Sequence, residues 1–406
     1  MTISFQSQLD EKTKETIKAT APVLAEHGTT ITTHFYKRML SAHPELNHVF
    51  NPTHQVKGKQ PAALANALYA AATHIDDLSA IAPAVRTIAE KHRSLQITPD
   101  QYPIVGEHLL ASIQEVLGEA ATDDIIAAWG QAYEEIAEIF IKVEAELYAE
   151  TAAQTGGWNG FRNFTVTSKE KESELITSFY LKPADGEPFP DFQPGQYITI
   201  KANIEGETYT QMRQYSLSDA PSANHYRISV KREPSGTETP SGKVSNWLHD
   251  AISEGDELPV TAPAGDFMLD TSGNEPLVFL SAGVGATPIV SMFKTAQQKA
   301  PERSIYYIHT ASSASVHGLA QDMEPVSANA VTHIRYTNPA PGDEQTPFFD
   351  AAGRIDFEYL QATVPKDASF YFCGPEGFIY TVLDALNKWD VAEDRINYEF
   401  FGPKSN

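Results

Sequence analysis

One cysteine, Cys373, occurs in 406 residues. A lone cysteine excludes any intrachain disulfide and fits a reducing compartment. Basic residues are scarce too: 30 Lys and Arg stand against 53 Asp and Glu, a formal charge of −23. That balance argues against non-specific binding to nucleic acid or to anionic membranes. No apolar run approaches the ~20 residues that span a bilayer. Residues 1–10 hold no basic cluster followed by an apolar core, so no signal peptide is expected. Internal repeats and low-complexity tracts are absent, and the first 150 residues contain little that reads as strand. With 41% hydrophobic and 20% charged residues, the composition is that of a soluble, cytoplasmic protein of about two to four domains.

Helical spacing dominates residues 1–150. Trp129, Tyr133, Ile136, Phe140, Val143 and Leu147 recur at intervals of 4, 3, 4, 3 and 4, one face of a long helix with Asp123 and Asp124 at its positive end. Tyr102, Val105, Leu109, Ile113 and Val116 or Leu117 mark a second helix, for which Thr98 is the expected N-cap and Pro99 the first helical residue. Shorter helices are expected at about 10–26, 29–41, 60–74 and 83–93. Several short helices ahead of two long ones resemble a globin.

That resemblance gives roles to named residues. His92, at a helix end just upstream of the long pair, stands where a globin presents its proximal histidine to haem iron, with Lys91 beside it in the pocket. Tyr36 and Gln60 match distal positions, where a hydroxyl and an amide donate hydrogen bonds to a ligand of the iron. Phe50 matches the phenylalanine that wedges against the haem. Plain core packing is the other reading of Tyr36 and Phe50. Glu144 lies four residues after Phe140, at the border of the apolar face, where a carboxylate is costly unless paired. Its candidate partners are His92 and Tyr102, and a snorkelling surface glutamate is the alternative. A carboxylate accepting the ligand histidine's second N–H makes the imidazole more electron-donating and favours redox chemistry over storage.

After a polar, glycine-containing linker at 151–160, the period changes. Phe164–Thr167, Leu175–Leu181, Gln196–Ile200 and Tyr226–Val230 read as strands between Pro and Gly turns, hence an antiparallel barrel. In Met212-Arg213-Gln214-Tyr215-Ser216 a cation and a flat aromatic share one strand face, with a hydroxyl next to them. A flavin asks for that set: a cation for phosphate, a ring to stack, a hydroxyl near the reactive nitrogen. An ordinary half-buried strand is the alternative. Arg-x-Tyr-Ser resembles the flavin signature of ferredoxin-reductase-like proteins, whose second flavin tyrosine is matched by Tyr197. Gly242, Val244 and Ser245 open a short helix whose free N–H groups suit the FAD pyrophosphate. The preceding Ser235–Pro240 is longer than that family's usual turn.

The last 140 residues alternate strand and helix. Leu277–Leu280 is a buried-type strand that leads through Gly283-Val284-Gly285-Ala286-Thr287-Pro288 into a helix at 289–299, a turn at which backbone can approach a dinucleotide. Ser304–His309 is followed by Thr310-Ala311-Ser312-Ser313, without the Arg or Lys that would hold a 2′-phosphate, which favours NADH over NADPH. Ser369–Phe372 ends in Cys373-Gly374-Pro375, matching the reductase turn that approaches the nicotinamide; Cys373 also reads as a small buried residue. The closing run Ile396–Pro403 resembles a terminus that folds onto the flavin, with Glu399, Phe400, Phe401, Gly402 and Pro403 as its contact residues and Phe401 a shield over the ring.

Taken together, these modules in this order resemble the flavohaemoglobins: globin at 1–150, linker at 151–160, FAD-binding barrel at 161–265, and an α/β NAD(P)-binding domain with a parallel sheet at 266–406. The resemblance implies haem b and FAD as cofactors, NADH or NADPH as electron donor, and conversion of nitric oxide and oxygen to nitrate alongside reversible oxygen binding. It further implies a monomer without nucleic-acid or stable membrane partners, and a lipid that enters the distal haem pocket. Two other readings use the same parts. One is an NADH-dependent reductase of oxygen, peroxides or quinones; the other is an oxygen or lipid carrier, or a sensor.

Overall fold

Pro22 lies inside a helix it does not break. The computed structural model describes residues 5–50, 55, 58–222, 224–235 and 241–402, and its first helix, α1 (Glu11–Ala42), runs unbroken through the two segments expected at 10–26 and 29–41. Asp10 caps it, accepting from the Thr13 amide at 3.0 Å. Proline forfeits one backbone hydrogen bond, and the helix absorbs that loss over 32 residues because one whole side is buried, including Ile17, Leu24, Ile31 and Phe35. Gly28 is a packing residue here: a Cβ on it would come within 3.2 Å of that of Ala65, on α2 (Lys59–Thr73), so the two helices cross at close range.

α3 (Ala82–Ser94), α4 (Gln101–Leu117) and α5 (Asp123–Ala153) complete the helical unit. The expected stripe on α5 faces inward, with Trp129, Val143 and Leu147 buried. The expected cap of α4 is wrong. The Thr98 amide donates to the Gln101 side chain at 3.1 Å, and Gln101 and Tyr102 donate to Thr98 and Pro99 carbonyls, so residues 98–101 form a turn and the regular helix starts two residues late, after Asp100.

The chain divides into two compact units. One holds the described residues up to Gln154 together with 203–212 and Gly402; the other holds 155–202 and 213–401. Within the second, β1 (Arg162–Lys171), β2 (Ile176–Pro183), β3 (Tyr197–Ala202), β4 (Gln211–Ser216), β5 (Tyr226–Lys231) and β6 (Glu257–Val260) form a sheet ordered β4-β3-β6-β1-β2-β5. β1 pairs antiparallel with β2 and β6, and β2 with β5. Past the end of β4, Leu217 bridges Ile228 on β5, curling the sheet toward a barrel. The helix α6 (Lys243–Asp250) follows β5.

Six parallel strands make the second sheet, in the order β10-β9-β8-β7-β11-β12: β7 (Leu277–Ala282), β8 (Ile305–Ala311), β9 (Ala330–Tyr336), β10 (Ala351–Ala352), β11 (Ser369–Cys373) and β12 (Ile396–Glu399). Every residue of β7 and β11 is buried, as continuous apolar runs predict for strands covered on both faces. Burying each of Val278, Phe279 and Leu280 is worth roughly 1.5–3 kcal/mol. Strand order reverses between β7 and β11, where doubly wound sheets bind ligands at the strands' carboxyl ends. α7 (Ala286–Lys299) starts three residues before the expected 289, with Pro288 in its first turn, where no N–H is needed. α8 (Phe357–Thr363) and α9 (Glu376–Lys388) flank β11 in sequence.

Candidate functional site

His92 occupies the last turn of α3, and a backbone motif fixes it there. The Ile97 amide donates to the His92 carbonyl at 3.0 Å, the Gln96 amide to Arg93 at 3.1 Å, and Gln96 takes the left-handed conformation, φ 61°. This is a Schellman reversal, which usually employs glycine. Gln96 offsets its strain with a side-chain bond to the Arg93 carbonyl at 2.7 Å. The Lys91 carbonyl accepts from Leu95 and from the Ser94 hydroxyl at 2.8 Å, so the whole helix end is anchored.

Glu144 is buried on α5, which removes the snorkelling alternative. Its Oε1 lies 2.7 Å from His92 Nδ1 and accepts from the Tyr102 hydroxyl at 2.5 Å. A carboxylate only accepts, so the imidazole proton sits on Nδ1 and Nε2 presents a lone pair. Burial, then the Glu144 charge, hold the Tyr102 phenol protonated, far above its ordinary range. Sequence reasoning missed two tyrosines that support this set. Tyr133 donates to the Tyr102 carbonyl at 2.6 Å, and Gly106 leaves room for its ring: a Cβ there would sit 2.5 Å from Tyr133 Cε1. Tyr148 donates to the Ile97 carbonyl at 3.0 Å, beside the reversal. Both lie on α5, and only Tyr133 falls on the stripe read from spacing.

A second group gathers Tyr36, Gln60 and Phe50. The Gln60 side chain hydrogen-bonds the Tyr36 phenol, and burial keeps that phenol un-ionised. The Phe50 ring meets Tyr36 edge-on at 5.5 Å between centroids. Core packing and a polar role are thus combined in Tyr36, which is buried yet carries its hydroxyl into a hydrogen bond. An imidazole with its lone pair on Nε2, a hydroxyl and an amide form the donor set a haem requires, and these residues fit that group.

On β4, Arg213, Gln214 and Tyr215 are half-buried and Ser216 is buried. Dehydration lowers the Arg213 guanidinium below its ordinary range and raises the Tyr215 phenol. A cation so placed gains from an anion brought beside it. Tyr197 exchanges backbone bonds of 2.9 Å with Ala264, and Gly265 lies against its ring. Gly242 directly precedes α6 without a side-chain cap; Ser245 Oγ bonds the Gly242 carbonyl at 3.1 Å and Val244 is buried. Aromatic platform, cation and uncapped helix start fit FAD. Of the closing run, β12 ends at Glu399, Phe400 packs near Tyr380 and Tyr398 at 5.6 Å each, and Phe401 is 49% exposed. Gly402 takes φ 141°, and Pro403 lies outside the described residues, as do residues 236–240 of the long turn.

The two glycines of the nucleotide turn do different jobs. Gly283 has φ 53° and nothing within 4 Å of an added Cβ, an open backbone face. Gly285 is closed: a Cβ would lie 2.3 Å from the Cys373 carbonyl oxygen, so this turn abuts Cys373-Gly374. Thr287 bonds the Val284 carbonyl at 3.0 Å, Ala286 and Pro288 are buried in the first turn of α7, and Pro375 directly precedes α9. The structure therefore joins the two predicted turns at the sheet's switch point, with the geometry a dinucleotide needs. Cys373 is buried and its thiol is pushed well above the ordinary range by burial, which agrees with its reading as a small packing residue. Behind the turn, Ser281 Oγ is 2.7 Å from His309 Nδ1, and His309 stacks on His317 at 4.9 Å.

Comparisons with known proteins agree with this architecture. Residues 33–140 match the Globin family, 163–269 the Oxidoreductase FAD-binding domain and 279–384 the Oxidoreductase NAD-binding domain. Fold, sites and matches define an NAD(P)H-dependent oxidoreductase that joins a haem-binding globin to an FAD- and NAD-binding module. The chain is 52% identical to the flavohemoprotein of Halalkalibacterium halodurans over 97% of each chain, and 46% identical to that of Bacillus subtilis over 98% of each. It also superposes on the flavohemoglobin of Malassezia yamatoensis, solved with bound FAD and heme, with a TM-score of 0.82 at 29% identity, covering 97% of this chain and 100% of that one. The chain belongs to the flavohemoprotein family. Among the described residues, no helix is long and apolar enough to cross a membrane.

Proposed function

We propose that this protein is a nitric oxide dioxygenase that draws its electrons from NAD(P)H. The observation that carries the reading is the buried Glu144 carboxylate bonded to both His92 and Tyr102. Pure oxygen storage has no need of a charged proximal partner, whereas reductive chemistry gains from it. The FAD/NAD-binding half of the nitric oxide dioxygenase from Vibrio cholerae supports the same reading; it is 38% identical, with a TM-score of 0.54, over 60% of this chain and all of that one.

In this reading His92 Nε2 holds haem iron, Glu144 keeps the Nδ1 proton in place, and Tyr102 fixes the carboxylate's orientation. Tyr36 and Gln60 orient the oxygen ligand, while Phe50 and Lys91 line the pocket. Arg213 and the start of α6 hold the FAD phosphates, Tyr197 and Tyr215 flank its ring with Gln214 and Ser216 beside them, and Glu399 to Gly402 close over it. Residues 283–288 and 373–375 seat the dinucleotide, with NADH preferred because Ser312 and Ser313 offer no cation. Held by these residues, FAD would supply hydride acceptance and single-electron release, and haem would supply the iron at which oxygen and nitric oxide combine to nitrate. The boundaries at 150, 160 and 265, a monomeric state, cytoplasmic location and a lipid in the distal pocket belong to the same proposal.

The test is consumption of nitric oxide by the purified holoprotein with NADH in air, counting nitrate. Rapid loss with matching nitrate, abolished by His92→Ala, supports the dioxygenase. Slow loss, with brisk NADH oxidation once peroxide or quinone is supplied, overturns it in favour of a reductase. No turnover with either overturns both and leaves a carrier or sensor.

A further inference from the structure

Three residues beyond Ser216, the flavin strand meets a largely half-buried chain of charges that neither cofactor site uses. Asp219 Oδ1 lies 2.5 Å from Lys294 Nζ, and the same ammonium lies 2.7 Å from Asp322 Oδ1. Asp322 Oδ2 accepts from Arg227 at 2.8 Å. Arg227 in turn donates to the Ser218 carbonyl, which returns the circuit to the flavin strand. Arg227 is 4% exposed on β5, its guanidinium 6.0 Å from the Tyr180 ring. His225 Nε2 stands 3.5 Å from Asp219. Despite its burial, the hydrogen bond from His225 and the cations Arg227 and Lys294 hold the Asp219 carboxyl far below its ordinary range.

The placement of these four residues is what matters. Arg227 belongs to β5 and Asp219 to the turn that follows β4. Lys294 belongs to α7, whose first residues are the nucleotide turn, and Asp322 lies in the short 3-10 turn Gln321–Met323 after β8. Two acids and two cations alternate, so the circuit is neutral as a whole and charged if any member is lost. Each end grips a rigid element, one bearing the flavin motif and the other the dinucleotide turn.

We propose that Lys294 and Asp219 are positioning residues that set the approach of nicotinamide to flavin. They act through the two elements and touch neither cofactor. The inference rests on the FAD and NAD assignments above but not on the nitric oxide reaction. Hydride leaves the nicotinamide, which is oxidised, and adds to the flavin, which is reduced. Such a transfer needs the reacting atoms about 3–3.5 Å apart, and about 1 Å of misplacement can cost on the order of 100-fold.

The experiment uses FAD-loaded full-length protein. Reduction of FAD by NADH is followed by stopped flow, giving the limiting rate and the NADH dissociation constant separately. Hydrogen exchange of the amides at 217–220 and 286–294 is measured without NADH. For Lys294→Met the expected result is a limiting rate lower by roughly 10- to 100-fold, with the dissociation constant changed by less than about threefold, and faster exchange in both segments. Lys294→Arg should restore most of the rate. Asp219→Asn, which keeps volume and hydrogen bonding, is the second variant should Lys294→Met fail to fold, with the same split expected. A normal limiting rate and normal exchange in either folded variant, even with a lowered melting temperature, would reduce the circuit to a structural staple and overturn the proposal. Because flavin reduction is read without nitric oxide, this failure and that of the dioxygenase reading are told apart.

Discussion

His92 Nδ1 stands 2.7 Å from Glu144 Oε1, across two helices whose residues are 52 positions apart in the chain. The carboxylate is 2% exposed and shares the same oxygen with Tyr102, so its charge is spent almost wholly on the imidazole N–H and the phenol. That contact fixes which ring nitrogen is left for a metal.

Glu144→Gln keeps the shape of the contact and removes its charge. Outer partners of a metal ligand are worth roughly 10- to 100-fold when altered. We expect nitric oxide turnover to fall by that factor with oxygen affinity unchanged, measured by nitrate production and oxygen titration. Unchanged turnover would remove Glu144 from the mechanism.

Tyr36→Phe deletes a hydroxyl that is hydrogen-bonded to Gln60 within a buried setting. One hydrogen bond to the oxygen ligand is worth about 1 kcal/mol. Oxygen should therefore dissociate about five times faster in flash-photolysis or stopped-flow traces. A rate equal to that of the parent protein would leave Tyr36 as a packing residue.

The two nucleotide glycines should respond unequally to alanine. Gly285→Ala drives a Cβ to 2.3 Å from the Cys373 carbonyl oxygen, backbone that cannot yield cheaply. We expect a loss of NADH-driven flavin reduction of at least 10-fold. Gly283→Ala meets no atom but carries φ 53°, a cost of roughly 1–2 kcal/mol in stability. Equal effects of the two would contradict the division of labour.

Gln96→Val puts a β-branched residue at φ 61° and deletes the side-chain bond to Arg93. The expected cost is about 1–3 kcal/mol, read from the urea midpoint of the globin absorbance. Loosening of the reversal at His92 should also show as a weaker hold on haem. No change in either would mean the reversal is set by Tyr148 and the flanking helices alone.

His309 and His317 give a pH signature. Burial lowers His317 from 6.5 to about 4, and burial, with His317 beside it, lowers His309 well below its ordinary value. A depressed histidine is neutral in the fold and takes up a proton on unfolding. Its contribution is therefore complete above pH 6.5 and lost as pH falls from 6.5 through about 4. For His317 that loss is on the order of 3 kcal/mol. Reductase-unit stability by denaturant should be flat above pH 7 and fall across this window, and His317→Gln should flatten the slope. A parent profile as flat as the variant's would refute the assignment.

Much of this protein could be read from residues in a line. Repeats of 3 and 4 on α5, continuous apolar runs at β7 and β11, and Gly-x-Gly and Cys-Gly-Pro at strand ends are local patterns, each created by the period of one element. They identified the helical half and the sheet half. Local signals misled where a competing bond won. Thr98 looked like the cap of α4, yet the Gln101 and Tyr102 amides turn back to the Thr98 and Pro99 carbonyls and the regular helix begins only after Asp100. Segments 10–26 and 29–41 read as separate helices, yet α1 runs through both from Glu11 to Ala42 because one side is buried along its length.

Arg227 shows the limit most plainly. In Tyr226-Arg227-Ile228-Ser229-Val230 strict alternation would turn the arginine outward, and no local pattern marks the carboxylate that accepts from it. Its partner Asp322 lies 95 residues away, Lys294 links that acid to Asp219, and the circuit exists only once two sheets and a helix have packed. The sequence by itself determined which elements form and which residues they carry, because period, turn chemistry and apolar runs are properties of neighbouring residues. Tertiary structure alone decided that Glu144 holds His92, that Gly285 must admit the Cys373 backbone, and that four distant charges close a ring. Each depends on distances of 2 to 4 Å between segments whose separation along the chain carries no trace of that approach.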